Sequence, residues 1–500
     1  LMTFIDDEAI RSLVALEMKL SGNYITPTIN GEFYYNKPPL YNWILLLFFQ
    51  IAGYVDEWIA RIPTIIALLG FSGTVYYVFR QHYGHRTAFI HALVLITCGR
   101  ILFWDSMLGL IDITFSWVMF GLFMVVFHEF RKGNFWRLFL LSYLLTAVGF
   151  MMKGLPALVF QGITLLVYFV YQREFKRLLS WQHLSGIALL AGILLTYYAT
   201  YHQYNNLHNV FSTLFDESVK RTGARFGLWE TVVHTLAFPL EMVYHFLPWS
   251  LMIFYLFRRD ILQLLRKDDF MVFNLMIFLA NVVVYWTSPE VYPRYLLMLA
   301  PLLFGVFIWF HDIHAAENSR VFRLLDRVFL ALLILIAASS LVPVFLERTQ
   351  DTSGLYWKSG FLLVSGTTAV VVYLQQPAQR LLTMIIALLL LRIGFNWFVL
   401  PDRNAEDWGN QCRLSSIEAA RIAPEKPMYL YRDTELQMTN AFYLTNTRQQ
   451  IIHRKDSLQD AQAIYILSPD QLPAESYQKI GAFFYRHGRG SLDLGMPLLK

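Results

Sequence analysis

About twelve apolar segments set the terms for this chain: roughly 57–80, 87–104, 109–128, 135–152, 155–171, 184–202, 243–257, 270–287, 293–310, 326–346, 357–375 and 380–399. Most approach the ~20 residues a helix needs to cross a hydrocarbon core. The expected fold is therefore an all-α polytopic membrane protein. Composition agrees, with 56% hydrophobic and 15% charged residues and a mean hydropathy of +0.43, far from the usual soluble mixture.

The net charge of +5 is informative by position, because cytoplasmic loops collect lysine and arginine. If every segment crosses, Arg80 and Arg86, then Arg131, Lys132 and Arg137, then Arg173, Lys176 and Arg177, then Arg258, Arg259, Arg266 and Lys267, then Arg320, Arg323 and Arg327 share one side. That side is the cytoplasm. The N-terminal stretch, a loop at about 203–242, the SPEVYPR loop and everything after residue 400 then face the exterior. These charges are topological, and no nucleic-acid partner is implied. The two cysteines, Cys98 and Cys412, fit no metal or redox spacing and are not expected to meet. Neither a P-loop nor a dinucleotide fingerprint occurs, against an ATP-driven pump or a nicotinamide enzyme. No signal peptide is visible, and one further span is expected upstream of Leu1.

Three regions follow. Residues 1–56 form an exterior segment with interfacial helices, residues 57–400 the membrane domain, and residues 401–500 a small exterior α/β domain. Of 41 basic and 36 acidic residues, 24 lie after residue 400, a fifth of the chain with almost a third of the charge. There PMYLYRD, NAFYLTN and AIYILSP read as strands and AESYQKIGAFFYRHG as an amphipathic helix. The 1–56 and 203–242 segments alternate apolar and charged residues at helical spacing, as helices in a membrane interface do.

Chemistry-bearing residues gather on the exterior side. Asp6, Asp7 and Glu8 open a helix, where the positive end of its dipole favours carboxylates. They read either as an acidic N-cap or as a general base or cation ligand at a cavity mouth. In YYNKPPL, two prolines stiffen the backbone around Lys37, placing its ammonium at headgroup depth, where it suits a lipid phosphate. Tyr34, Tyr35, Tyr41 and Trp43 suit the interface and the face of a sugar. Asp105 and Asp112 stand at the exterior end of a hairpin, where ionisable groups are costly unless they face a polar cavity. Lys153 interrupts an apolar run in a tight turn, and Arg294 with Tyr295 opens a later segment, where a guanidinium can pair with phosphate oxygens or simply anchor the interface. Glu217, Lys220 and Arg221 are weaker candidates, and His234 and His245 read as structural histidines.

DDE, SGNYITPTINGEFYYNKPPLYNW, RILFWDSMLGLID, MMKGLPALVFQG, HFLPWSL and SPEVYPRYLL together resemble the bacterial GT-C class of polyprenyl-phosphate-sugar glycosyltransferases, relatives of the lipid A aminoarabinose transferase and of protein O-mannosyltransferases. The resemblance runs through about residues 5–300 and is strongest in the first 60. It implies about thirteen spans, exterior interfacial helices and a C-terminal exterior domain. It also implies roles: Asp7 as the catalytic acid acting on the acceptor hydroxyl with Glu8 beside it, Lys37 on the donor phosphate with Tyr34 lining the same cavity, and Arg294 and Tyr295 near that phosphate. Asp105 is the better match for a second acid, Asp112 the alternative. Two departures stand out. The arginine expected three residues after the catalytic acid is replaced by Ile10, with Arg11 following, and Asn36 stands where glutamate commonly precedes the lysine. Both argue for a different acceptor or sugar, and Asn36 weakens the case for a divalent metal, which stays undecided.

The implied activity is transfer of a sugar from undecaprenyl or a similar polyprenyl phosphate to a hydroxyl of a lipid, protein or glycan acceptor, with inversion if displacement is direct, in the cytoplasmic membrane with the site facing the periplasm. Rival readings are a flippase of lipid-linked sugars, a ligase or polymerase using a diphosphate-linked donor, and a purely structural membrane protein.

Overall fold

A computed structural model of the chain describes residues 2–5, 7–219, 228–401, 403, 408–458, 460–485 and 490–498. Asp6, Lys220 and Arg221 lie outside the described residues, as does the side chain of Glu217.

The chain is a multi-pass membrane protein. Among the described residues, eight helices are long and apolar enough to cross a bilayer: Glu57–Thr97, Ile111–Arg131, Phe135–Lys153, Trp181–His202, Asp269–Trp286, Arg320–Phe345, Leu355–Gln375 and Pro377–Val399. Leu40–Ala52, Pro156–Tyr171 and Ala300–Ala316 are shorter apolar helices. The first long helix, α3 (Glu57–Thr97), accounts for two of the expected segments, because it turns back on itself at Gly84. With φ 77° and ψ 176°, Gly84 adopts a conformation that side-chain-bearing residues essentially do not reach. The two arms then pack against each other: the Ser72 hydroxyl donates to the Ala92 carbonyl at 3.1 Å, and the Phe79 and His91 rings meet at 3.7 Å.

The expected segment 243–257 is not one helix. A helix ends at His245, and after Pro248 the chain continues as a 3-10 stretch, Trp249–Leu256. Proline lacks the N–H that an α-helix would need there and restricts the residue before it. The segment 293–310 is likewise divided into a 3-10 turn, Pro293–Met298, and the helix Ala300–Ala316, which leaves Arg294 and Tyr295 on a tight turn instead of a helix face.

Ahead of the membrane helices, α1 (Glu8–Ser21) buries Leu13, Val14, Ala15, Leu16 and Met18 and stops at Gly22 in the left-handed conformation. A short hairpin follows, β1 (Thr28–Ile29) and β2 (Glu32–Phe33), paired Thr28 to Phe33 and Ile29 to Glu32. Its loop is Asn30–Gly31, with φ 53° and 74°, the pair that favours a two-residue hairpin turn. α2 (Leu40–Ala52) begins directly after the two prolines.

The C-terminal domain is α/β, with strands in the order β4–β3–β5–β7–β6: β3 (Met428–Tyr431), β4 (His453–Lys455), β5 (Ile464–Leu467), β6 (Tyr477–Tyr485) and β7 (Gly490–Pro497). Strands were expected in PMYLYRD and AIYILSP, and β3 and β5 form there. Two expectations are corrected. NAFYLTN lies inside the helix Met438–Arg448, whose run Thr439–Thr445 is buried by packing that overrides the strand preference of its aromatic and β-branched residues. The segment expected as an amphipathic helix forms β6 instead. A register shift between Lys479 and Gly481 breaks its alternation, so the apolar residues fall at a spacing that imitates a helix.

Candidate active site

α1 starts just after Asp7, which occupies the N-cap position but makes no side-chain capping bond. Its carboxylate, half exposed, lies 4.0 Å from the guanidinium of Arg294, which is 3% exposed. Capping is therefore not what this acid does in the fold. Arg294 is also 3.3 Å from Asp112, in the first turn of the Ile111–Arg131 helix. Asp112 is ion-paired with Lys153 at the end of the Phe135–Lys153 helix. The Lys153 ammonium stands 3.9 Å above the Tyr295 ring, and the Arg294 guanidinium 4.4 Å from the Tyr292 ring, the geometry of cation–π contacts. Lys37, on the bend just before α2, acts electrostatically on Asp112. Asp7, Asp112, Lys153, Arg294 and Tyr295 thus converge from four separate stretches of chain, and Lys37 acts on Asp112 from a fifth. Their cations outnumber their carboxylates, an arrangement that favours an additional anion.

Tyr34 accepts a hydrogen bond from buried Arg11 at 2.6 Å, with the guanidinium 5.3 Å from its ring. The loop leading to Lys37 is tied down by Glu17, which accepts from the Thr28 hydroxyl at 2.7 Å and the backbone N–H groups of Asn30 and Gly31 at 2.6 and 3.2 Å. Burial pushes the Glu17 carboxyl above its usual range, against the pull of these donors.

Glu8 has a different neighbourhood from Asp7. It is fully buried and forms a two-pronged pair with Arg61, at 2.8 and 3.0 Å. It also accepts from the backbone N–H groups of Ile5 at 2.9 Å and Gly109 at 2.5 Å. Gly109 must come this close: a Cβ there would stand 2.7 Å from the Ala60 carbonyl oxygen. Asp105, preferred above as the second acid, faces Arg100 at 3.0 Å, whereas Asp112 occupies the place between Lys153 and Arg294. The second Asp105 oxygen is buried without a hydrogen-bond partner, and burial pushes the carboxyl up to about 6 despite Arg100.

Sequence reasoning did not single out Arg61, Glu57 or Glu17 as site residues. Arg61 had a signal, a cation inside an apolar segment; Glu17 sits at ordinary helical spacing and had none. His234 lies near the Tyr285 carbonyl and His245 near Glu241. Among the described residues no group of three or more His, Cys, Asp or Glu converges, and Glu8, Asp105 and Asp112 are each held by arginine or lysine.

The structure superposes on ArnT from Cupriavidus metallidurans bound to undecaprenyl phosphate with a TM-score of 0.72 and 18% identity, over 99% of this chain and 94% of that one. The chain has the GT-C fold. The apo state of the same ArnT superposes with a TM-score of 0.70 and 17% identity, again over 99% and 94%. A family model described as dolichyl-phosphate-mannose-protein mannosyltransferase matches residues 36–198, a stretch that contains Lys37, Asp105, Asp112 and Lys153. A protein of Aquifex aeolicus (strain VF5), described as uncharacterized, is 26% identical over 245 residues, which is 48% of this chain and 46% of the relative. The chain thus spans about half the length of that relative.

Proposed function

We propose that the protein is an integral-membrane glycosyltransferase that moves a sugar from a polyprenyl phosphate, undecaprenyl phosphate or a similar lipid, to a hydroxyl of an acceptor at the exterior face of the cytoplasmic membrane. The observation that carries this reading is Arg294, buried between the half-exposed carboxylate of Asp7 and the Asp112 that Lys153 also pairs with. The fold shared with ArnT bound to undecaprenyl phosphate supports the choice of donor.

In this reading the acceptor hydroxyl gives its proton to Asp7 while its oxygen attacks the anomeric carbon. The bond from that carbon to the phosphate oxygen breaks, and the electron pair leaves with the polyprenyl phosphate. Lys37, Arg294 and Lys153 stabilise the charge that develops there, in surroundings of low dielectric where fixed cations act strongly. Asp112 holds Lys153 and Arg294 in place between turnovers. A single displacement inverts the anomeric configuration. Tyr295, Tyr292 and Tyr34 supply ring faces for the sugar. Asn36 and the position of Arg11 argue for a sugar or acceptor other than aminoarabinose and lipid A.

The test uses purified protein in lipid nanodiscs with membrane extract of its host as acceptor. Consumption of a polyprenyl-monophosphate sugar, with release of polyprenyl phosphate, is expected. Preference for a diphosphate-linked donor would support a ligase instead, and movement of intact donor between leaflets of proteoliposomes without consumption would support a flippase.

A further inference from the structure

The C-terminal domain grips the two N-terminal stretches that carry the acidic and lysine motifs, largely through buried polar groups. The Tyr443 hydroxyl donates to Glu57, the first residue of α3, and Arg413 pairs with the same carboxylate at 3.5 Å. Asn446 donates to the Val55 carbonyl at 2.9 Å, and the Phe4 ring packs edge-on against Phe442 at 4.8 Å. Farther along, Arg454 pairs with Glu32 at 3.4 Å, and His453 sits so close to Gly31 that no Cβ would fit.

Glu57, 6% exposed, acts electrostatically on Arg61, one helical turn on. Arg61 forks onto Glu8 and donates as well to the Met2 and Thr3 carbonyls at 2.9 and 3.0 Å. Glu8 in turn receives the Gly109 N–H. One chain of charged and hydrogen-bonded groups, buried apart from Arg413, therefore runs from Arg413 and Tyr443 through Glu57, Arg61 and Glu8 to Gly109. Asp7 adjoins Glu8 at one end, and Asp112 lies three residues beyond Gly109 at the other. In a low-dielectric interior such a chain holds its geometry only while every member is paired.

We propose that the C-terminal domain is a positioning part of the active site: docked through Tyr443 and Arg413, it sets the separation of Asp7 from the 105–112 segment through Glu57, Arg61 and Glu8. These are positioning residues, since each acts through its neighbours in this chain of contacts. The catalytic consequence rests on the transferase reading above; the geometric one does not.

The experiment compares the full chain with a Tyr443→Phe, Arg413→Met double variant, which keeps the ring against Phe4 and removes both donors to Glu57. Amide exchange is expected to rise at least tenfold in residues 2–12 and 105–112 and to stay unchanged in the Asp269–Trp286 helix. In transfer assays kcat falls at least tenfold while the donor KM stays within twofold. Unchanged exchange in both segments, or acceleration spread evenly over the chain, overturns the proposal. If the wild type consumes no donor, the transferase reading fails and the exchange pattern alone decides the positioning role. Glu57→Gln, measured the same way, serves if the double variant does not accumulate. It is expected to give the same localised pattern at smaller amplitude, and no localised change there also overturns the proposal.

Discussion

Replacing Asp112 by asparagine removes a carboxylate that both Lys153 and Arg294 touch, and all three side chains are buried, at 6%, 6% and 3% exposure. At 3.3 Å and an effective dielectric near 20, the attraction to Arg294 alone is about 5 kcal/mol. Dehydration of the pair offsets much of that, and breaking a buried pair from one side costs about 3–5 kcal/mol. With unfolding entropy of about 2.1 cal/mol/K per residue, a loss of about 3 kcal/mol lowers the unfolding midpoint of the 500-residue chain by about 3 °C. Undecaprenyl phosphate brings a replacement anion to the same two cations, so its stabilising shift is expected to be larger in Asp112→Asn than in the wild type. Transfer falls at least tenfold, since Lys153 and Arg294 are no longer held. The assay is thermal unfolding in detergent with and without undecaprenyl phosphate. Equal midpoints together with equal ligand shifts would refute the claim that Asp112 holds the two cations for a phosphate.

Asp7→Ala is expected to leave the unfolding free energy within about 0.5 kcal/mol of the wild type, because its side chain caps nothing; a clear fall would show a structural role. Glu17→Gln weakens charge-assisted bonds of about 1.5–3 kcal/mol each to the turn ahead of Lys37, so the donor KM rises with little change in kcat; an unchanged KM would separate that turn from donor binding. Gly109→Ala pushes a Cβ to 2.7 Å from the Ala60 carbonyl oxygen, and loss of folded protein or of transfer is expected on expression and assay. Asp105 has its pKa raised to about 6 from 3.8 by burial. Its contribution to stability is therefore complete below about pH 4 and is lost as pH rises through about 6. The midpoint–pH curve of Asp105→Asn should lack that slope.

The membrane architecture was legible because segment length and apolarity report spans directly, and two strands of the C-terminal sheet were legible in PMYLYRD and AIYILSP. What escaped depends on contacts distant in sequence. Asp112 rather than Asp105 meets Lys153 and Arg294 because the tight turn at Pro293 and the end of the Phe135–Lys153 helix arrive from elsewhere in the chain. Glu8 and Asp7 are adjacent and chemically alike, and only Arg61, 53 positions away, separates their roles. The 243–257 break could have been anticipated at Pro248, and the β1–β2 hairpin at Asn30–Gly31. Nothing local marks the bulge that makes β6 imitate a helix.

The most direct measurement follows donor consumption and donor binding together in wild type, Asp7→Asn and Lys37→Ala. Asp7→Asn should bind undecaprenyl phosphate as the wild type does while kcat falls by about 10²–10⁴, and Lys37→Ala should weaken that binding. Undiminished transfer by Asp7→Asn, or unchanged binding by Lys37→Ala, would contradict the assignment of general base and phosphate clamp.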